Sequence, residues 1–255
     1  MNIFKNIVTI VKVYDAIKYL TKYKIGISKA RGAGDLESER EQILKLTVTW
    51  GKHLVNMFDI DLNVTGRENL PDKGPVVFVP NHESFLDIPI ACAVFDKFQF
   101  AFVAKDAFKR LPIYGKLIRQ IRSVFIDGDV ARASLKTIDE GIHLIENGFS
   151  LLIFPEGKRN KGGPVGEFKK GSLRLATKPG VPVIPVTING AHRIFERQGY
   201  VKKGERVDVI IHPMIETMGM EKSAANNLAA EVEKIVKNGL ETSVLIYSSQ
   251  TARRT

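Results

Sequence analysis

One cysteine, Cys92, stands in 255 residues, so no intramolecular disulfide braces this chain and the lone thiol suits a reducing compartment. Long apolar runs are also missing. A spanning helix needs about 20 nearly uncharged residues, and Lys, Arg, Asp or Glu interrupts every such window, so any bilayer contact is expected to be peripheral. No secretory leader is expected either, because Lys12 breaks the apolar run Ile7–Tyr14 and no small-residue cleavage site follows. Acidic residues are in deficit, 28 against 38 basic, for a formal charge of +10. That excess favours an anionic partner, whether nucleic acid, an anionic bilayer or a phosphorylated substrate. Hydrophobic residues make up 44% of the chain, which excludes general disorder and suffices for one sizeable core.

The basic excess begins at the N-terminus. Lys5, Lys12, Lys18, Lys22, Lys24, Lys29 and Arg31 are offset only by Asp15. Ile3, Ile7, Ile10, Val11, Tyr14, Ile17 and Leu20 recur at three-to-four spacing between those lysines, the pattern of a helix lying at a membrane interface or packed on its own domain. Gly32 and Gly34 break it, and a second apolar helical pattern runs from Leu36 to Phe58. After Asp59 the texture becomes short β-rich runs alternating with helical segments, among them Phe168–Lys178 and Met220–Leu240. The expected architecture is therefore α/β, a mixed and largely parallel sheet flanked by helices. It divides into an N-terminal two-helix membrane-associating unit (1–58), an α/β domain (59–247) and a frayed tail (248–255). Val183-Ile184-Pro185-Val186, with Pro182 just before it, is expected at a sheet edge or with a bulge, since proline cannot donate to a ladder.

Three strand exits carry chemistry. Pro80-Asn81-His82-Glu83-Ser84-Phe85-Leu86-Asp87 follows the apolar strand Val76–Val79. It sets a histidine at the exit and a carboxylate at the next helix start, where the turn can fold the two together. Such a pair fixes the imidazole tautomer and leaves the other ring nitrogen to accept a proton; the blander alternative is a capping Asp beside a solvated His. Phe154-Pro155-Glu156-Gly157-Lys158-Arg159 follows another strand, with Gly157 permitting a tight turn and Lys158 and Arg159 supplying charge for a phosphate. Lys105 leaves a third strand, at the head of a segment reaching Gly115. In open α/β sheets ligands bind outside such strand ends. His53, His143, His192 and His212 are scattered without ligand spacing, so no metal or cofactor is expected.

In order and spacing, these blocks and the Val183–Val186 strand resemble the glycerolipid acyltransferase family over about Leu62–Pro213. The resemblance implies a catalytic His82–Asp87 pair and glycerol-phosphate binding by Lys105, Glu156, Gly157, Lys158 and Arg159. It implies acyl transfer from acyl-CoA or acyl carrier protein to the hydroxyl of a lysophosphatidic acid, at the cytoplasmic face of an anionic membrane. Two positions depart from the family pattern: Lys158 replaces its usual Thr, and Gly128 follows Ile126-Asp127 where it has Arg, leaving Lys158 or Arg132 to replace that charge. Glu156 is expected to bind a glycerol hydroxyl or to orient Arg159. A nucleic-acid partner is not expected, since aromatics do not interleave the basic clusters. The remaining alternatives are an acyltransferase acting on glycerol-3-phosphate or another lysophospholipid, and a non-catalytic anionic-lipid binder on the same fold.

Overall fold

The computed structural model describes residues 23–110, 114–126 and 131–252. The expected interfacial helix before residue 23, and Gly128, lie outside them, as does the side chain of Arg132. The described residues open with helix α1 over residues 23–32, followed by α2 (Leu36–Met57). Asp35 caps α2, its carboxylate accepting from the Ser38 N–H and hydroxyl, which answers the unpaired donors of a helix N-terminus. Strand β1 (Asp61–Thr65) follows, then β2 (Val77–Pro80), α3 (Asp87–Val94), β3 (Phe100–Lys105), α4 (Tyr114–Gln120) and β4 (Val124–Ile126). The second half continues with α5 (Ala131–Glu146), β5 (Ser150–Leu152), α6 (Arg174–Thr177), β6 (Val183–Asn189), β7 (Arg206–Ile211) and α7 (Lys222–Ala252).

The seven strands form one sheet in the order β1-β7-β6-β2-β5-β3-β4, parallel throughout except for the antiparallel β6–β7 pair. This is the mixed, largely parallel sheet expected from the alternating pattern. Helix α2 packs on α3, α5 on β4 and β5, and α7 on β6. Contact between α2 and α3 is close at Gly51, where an added Cβ would sit 2.6 Å from the Pro89 carbonyl oxygen and 2.7 Å from the Cys92 Cβ. Burial there pushes the Cys92 thiol far above its ordinary range, which removes it as a nucleophile.

Four expectations change in detail. The N-terminal helices are not a separate body over residues 23–58, because Ile27, Ile43, Leu46 and Leu54 join the same buried cluster as the strands. Arg31 ties α1 further in, donating to Glu39 and to the Gln120 carbonyl. The helix expected over Phe168–Lys178 shrinks to α6, because carboxylates take backbone donors of the preceding segment: Glu156 accepts the Gly166 N–H and Glu233 the Phe168 N–H. Strand β6 is interior rather than at an edge, and its proline is accommodated by a bulge. Val186 pairs with Ile211 and Val183 with Ile215, so one extra residue is looped opposite Pro185, as bulges allow. Helix α7 runs on to Ala252, past the point where a tail was expected.

Candidate active site

Strands β6, β2, β5 and β3 are adjacent and mutually parallel, so their C-terminal ends open on one side of the sheet, where α/β ligand sites form. The four exits deliver Gly190–Glu196, Asn81–Asp87, Phe154–Arg159 and Lys105 respectively. Asn81 anchors the second of these, its amide exchanging two hydrogen bonds with the Ile188 backbone on β6.

His82 Nδ1 lies 2.7 Å from Asp87 Oδ2. That oxygen also accepts the Glu83 and Ser84 N–H groups, each at 2.8 Å. With two backbone donors already on Oδ2, the proton of the third bond belongs to the imidazole, which places it on Nδ1 and leaves Nε2 with its lone pair. Asp87 is fully buried and its Oδ1 has no partner among the described residues. Burial, followed by the nearby Glu83 carboxylate, raises the proton affinity of Asp87, against the pull of the two N–H donors. The His82 ring stacks on Phe154 with centroids 3.9 Å apart, which fixes its plane. The histidine is depressed to about 4, first by burial and then by the Arg159 charge, with Lys105 adding to this and Glu156 and Glu196 opposing it. It is therefore neutral at pH 7.

The expected binding residues divide. Arg159 stands at the site, ion-paired to Glu196 at 3.0 Å, with its Cζ 3.3 Å from the Phe85 ring centroid. Lys105 is exposed at the end of β3, within electrostatic reach of His82. Gly157 adopts φ +68°, and its missing side chain leaves room for the Lys169 ammonium 3.1 Å from where a Cβ would sit. Lys158 is exposed on the same turn. Glu156 differs from the expectation. It is buried, and its oxygens accept the His82 N–H at 2.6 Å and the Gly166 N–H at 2.7 Å, so its carboxylate is occupied by backbone and the partner of Arg159 is Glu196 instead.

Sequence reasoning missed Glu196, and it left His192 as a structural histidine. His192 Nδ1 lies 3.0 Å from Glu83 Oε2, inside the His82–Asp87 turn. Ser84 donates to Glu196 and accepts the Leu86 N–H, so its hydroxyl is engaged. The signal that could have found this segment is the parallel pairing of β6 with β2, which sends the chain after Asn189 to the same end of the sheet as His82.

The site thus brings together an imidazole braced by a carboxylate and two cations, Arg159 and Lys105, with Glu156 and Glu196 beside them. A family model described as Acyltransferase matches residues 61–189. A 1-acyl-sn-glycerol-3-phosphate acyltransferase of Borreliella burgdorferi is 30% identical over 183 residues, covering 72% of this chain and 73% of that protein. A chloroplastic enzyme of the same description from Arabidopsis thaliana is 36% identical over 157 residues, 60% of this chain and 43% of the plant protein. The crystal structure of the 1-acyl-sn-glycerophosphate (LPA) acyltransferase PlsC from Thermotoga maritima superposes with a TM-score of 0.69 at 30% identity, covering 88% of this chain and 94% of that one. With the match spanning the sheet from β1 to β6 and three of the four strand exits, this chain belongs to the acyltransferase family.

Proposed function

We propose that this chain transfers a fatty acyl group from an acyl thioester, acyl-CoA or acyl carrier protein, to the sn-2 hydroxyl of 1-acylglycerol-3-phosphate, giving phosphatidic acid. The observation that carries the reading is the 2.7 Å contact between His82 Nδ1 and Asp87 Oδ2. His82 Nε2 takes the proton of the acceptor hydroxyl as that oxygen attacks the thioester carbonyl carbon. The tetrahedral oxyanion then collapses, the carbon–sulfur bond breaks, and the thiolate takes the proton from Nε2. Asp87 stabilises the imidazolium between the two proton transfers. No acyl-enzyme is required, because the acceptor brings its own hydroxyl.

Arg159 and Lys105 hold the phosphate, with Lys158 and Lys169 beside them on the 154–169 segment. After burial, the Arg159 and Lys105 charges depress His82, so a phosphate that neutralises those two strengthens the base as the acceptor arrives. Glu156 is a positioning residue, fixing the His82 backbone through the bond to its N–H. The membrane enters through the basic N-terminal segment, each Lys or Arg near an anionic surface adding about 1 kcal/mol; no helix among the described residues is long and apolar enough to cross a bilayer.

The test is thiol release from an acyl thioester by the purified chain, with lysophosphatidate, glycerol-3-phosphate and a neutral lysophospholipid as alternative acceptors. Release is expected with lysophosphatidate, and His82→Ala is expected to lower it by about 10² to 10⁴. Release by His82→Ala at the wild-type rate overturns the assignment.

A further inference from the structure

The exit of β6 lays residues 190–196 across the catalytic turn, beyond residue 189, where the family match ends. Carboxylates cross this junction in both directions. Glu83 reaches from the turn to His192. Glu196 reaches back, its Oε2 accepting from the Ser84 hydroxyl at 2.7 Å and its Oε1 from the Phe85 N–H at 2.8 Å and Arg159 Nη1 at 3.0 Å.

The Glu196 side chain is only 2% exposed. Burying such a charge is costly unless it is paired and hydrogen-bonded, and of its three donors only Arg159 is charged. One oxygen, Oε1, therefore fixes both the guanidinium and the backbone of the residue whose ring it covers, at 3.3 Å from Cζ to the Phe85 centroid. Stacking occupies one face of the guanidinium and Glu196 occupies Nη1. The remaining N–H edge is the part left for an anion, on a side chain 23% exposed. Arginine carries about 2 kcal/mol of rotamer entropy, and holding it in place beforehand spares that loss when substrate binds.

We propose that Glu196 is a positioning residue for recognition of the acceptor's phosphate: it clamps Arg159 against Phe85 with its free edge turned to the substrate, while Glu83–His192 merely fastens the same segment. This inference rests on the acyl-transfer reading above.

The experiment is steady-state kinetics of the full chain, varying lysophosphatidate at saturating acyl-CoA and then the reverse. Glu196→Ala is expected to raise KM for lysophosphatidate about tenfold, the scale of a lost charge-assisted hydrogen bond, with unchanged KM for acyl-CoA and a smaller change in kcat. Because Glu196 acts through Arg159, the Arg159→Ala/Glu196→Ala double variant is expected to be no worse than Arg159→Ala alone. Glu196→Gln keeps an amide oxygen for Phe85 and Arg159 and is expected to recover most of the loss. Unchanged KM for lysophosphatidate in Glu196→Ala, multiplying effects in the double variant, or a Gln variant as impaired as the Ala variant each overturns the proposal. If Glu196→Ala does not fold, Phe85→Ala takes its place, and an unchanged KM there overturns it equally. A wild-type chain that releases no thiol removes the acyl-transfer reading and this inference together, whereas an active wild type with unaltered KM in the variants removes only this inference.

Discussion

Glu39 and Asp87 are both sealed from solvent, yet their oxygens are used differently. Glu39 receives Arg31 Nε and Arg122 Nε on Oε1 and Arg122 Nη2 on Oε2, at 2.7–2.8 Å. Burial alone would raise its proton affinity, but the Arg122 and Arg31 hydrogen bonds reverse this and hold it below the usual carboxylate range. One negative charge meets two positive ones, and the cluster staples α1 and α2 to the segment between α4 and β4. Asp87 instead loads three donors on Oδ2, leaves Oδ1 without a partner among the described residues, and faces an imidazole that is neutral at pH 7. The structural carboxylate has its charge fully answered in the resting state. In the proposed reaction the Asp87 charge is answered only when its histidine becomes charged, an asymmetry that would favour the transition state over the ground state.

Substitutions at the two carboxylates should separate rate from stability. Asp87→Asn should cost the most, about 10² to 10⁴ in kcat: the amide can still accept the backbone N–H bonds, but it cannot stabilise an imidazolium. Turnover measured beside a thermal melt checks this, and a variant that loses stability but keeps its rate contradicts it. Glu39→Ala should do the reverse. Breaking a buried pair costs about 3–5 kcal/mol; here both arginines are about a third exposed and rehydrate, so about 2 kcal/mol is expected, read as a lower urea midpoint with kcat/KM unchanged. The smallest effect should follow removal of residues 1–22: weaker binding to anionic vesicles, measured by co-sedimentation. A deletion continued through Arg31 should lower the melting temperature as well, because it removes Ile27 from the core and one partner of Glu39.

The His82–Asp87 turn was legible in the sequence because its contact is local. His82 and Asp87 are five residues apart, follow an apolar strand and are joined by one turn, so spacing allows their contact, and the family resemblance favoured it over a capping Asp beside a solvated His. The parallel sheet was legible for a related reason, since apolar runs alternating with helical periodicity leave few ways to bury both faces of the strands. What depended on long-range partners was not legible. Glu196 meets Ser84 and Phe85 across more than 100 residues, and no local pattern marks it. Glu156 sat in a basic block and looked like part of a binding surface, but its carboxylate is spent on the His82 and Gly166 backbone. The same bond, with Glu233 on Phe168, holds the chain ahead of α6 out of the helix expected from Phe168 onward, a tertiary override of local pattern. Pro185 was rightly expected to disturb a ladder, but a bulge opposite it leaves β6 in the middle of the sheet.

In the proposed reaction His82 is a neutral base whose Nδ1–H is held by Asp87. Nitrogen NMR of the imidazoles, with His82 assigned by its loss in His82→Asn, tests this most directly. The predicted result is the Nδ1-protonated tautomer at pH 7, with no titration until the pH falls to about 4, where the proton taken up on Nε2 abolishes the base and kcat/KM declines in step. An Nε2-protonated tautomer at pH 7, or a midpoint near the ordinary histidine value of 6.5, would contradict it.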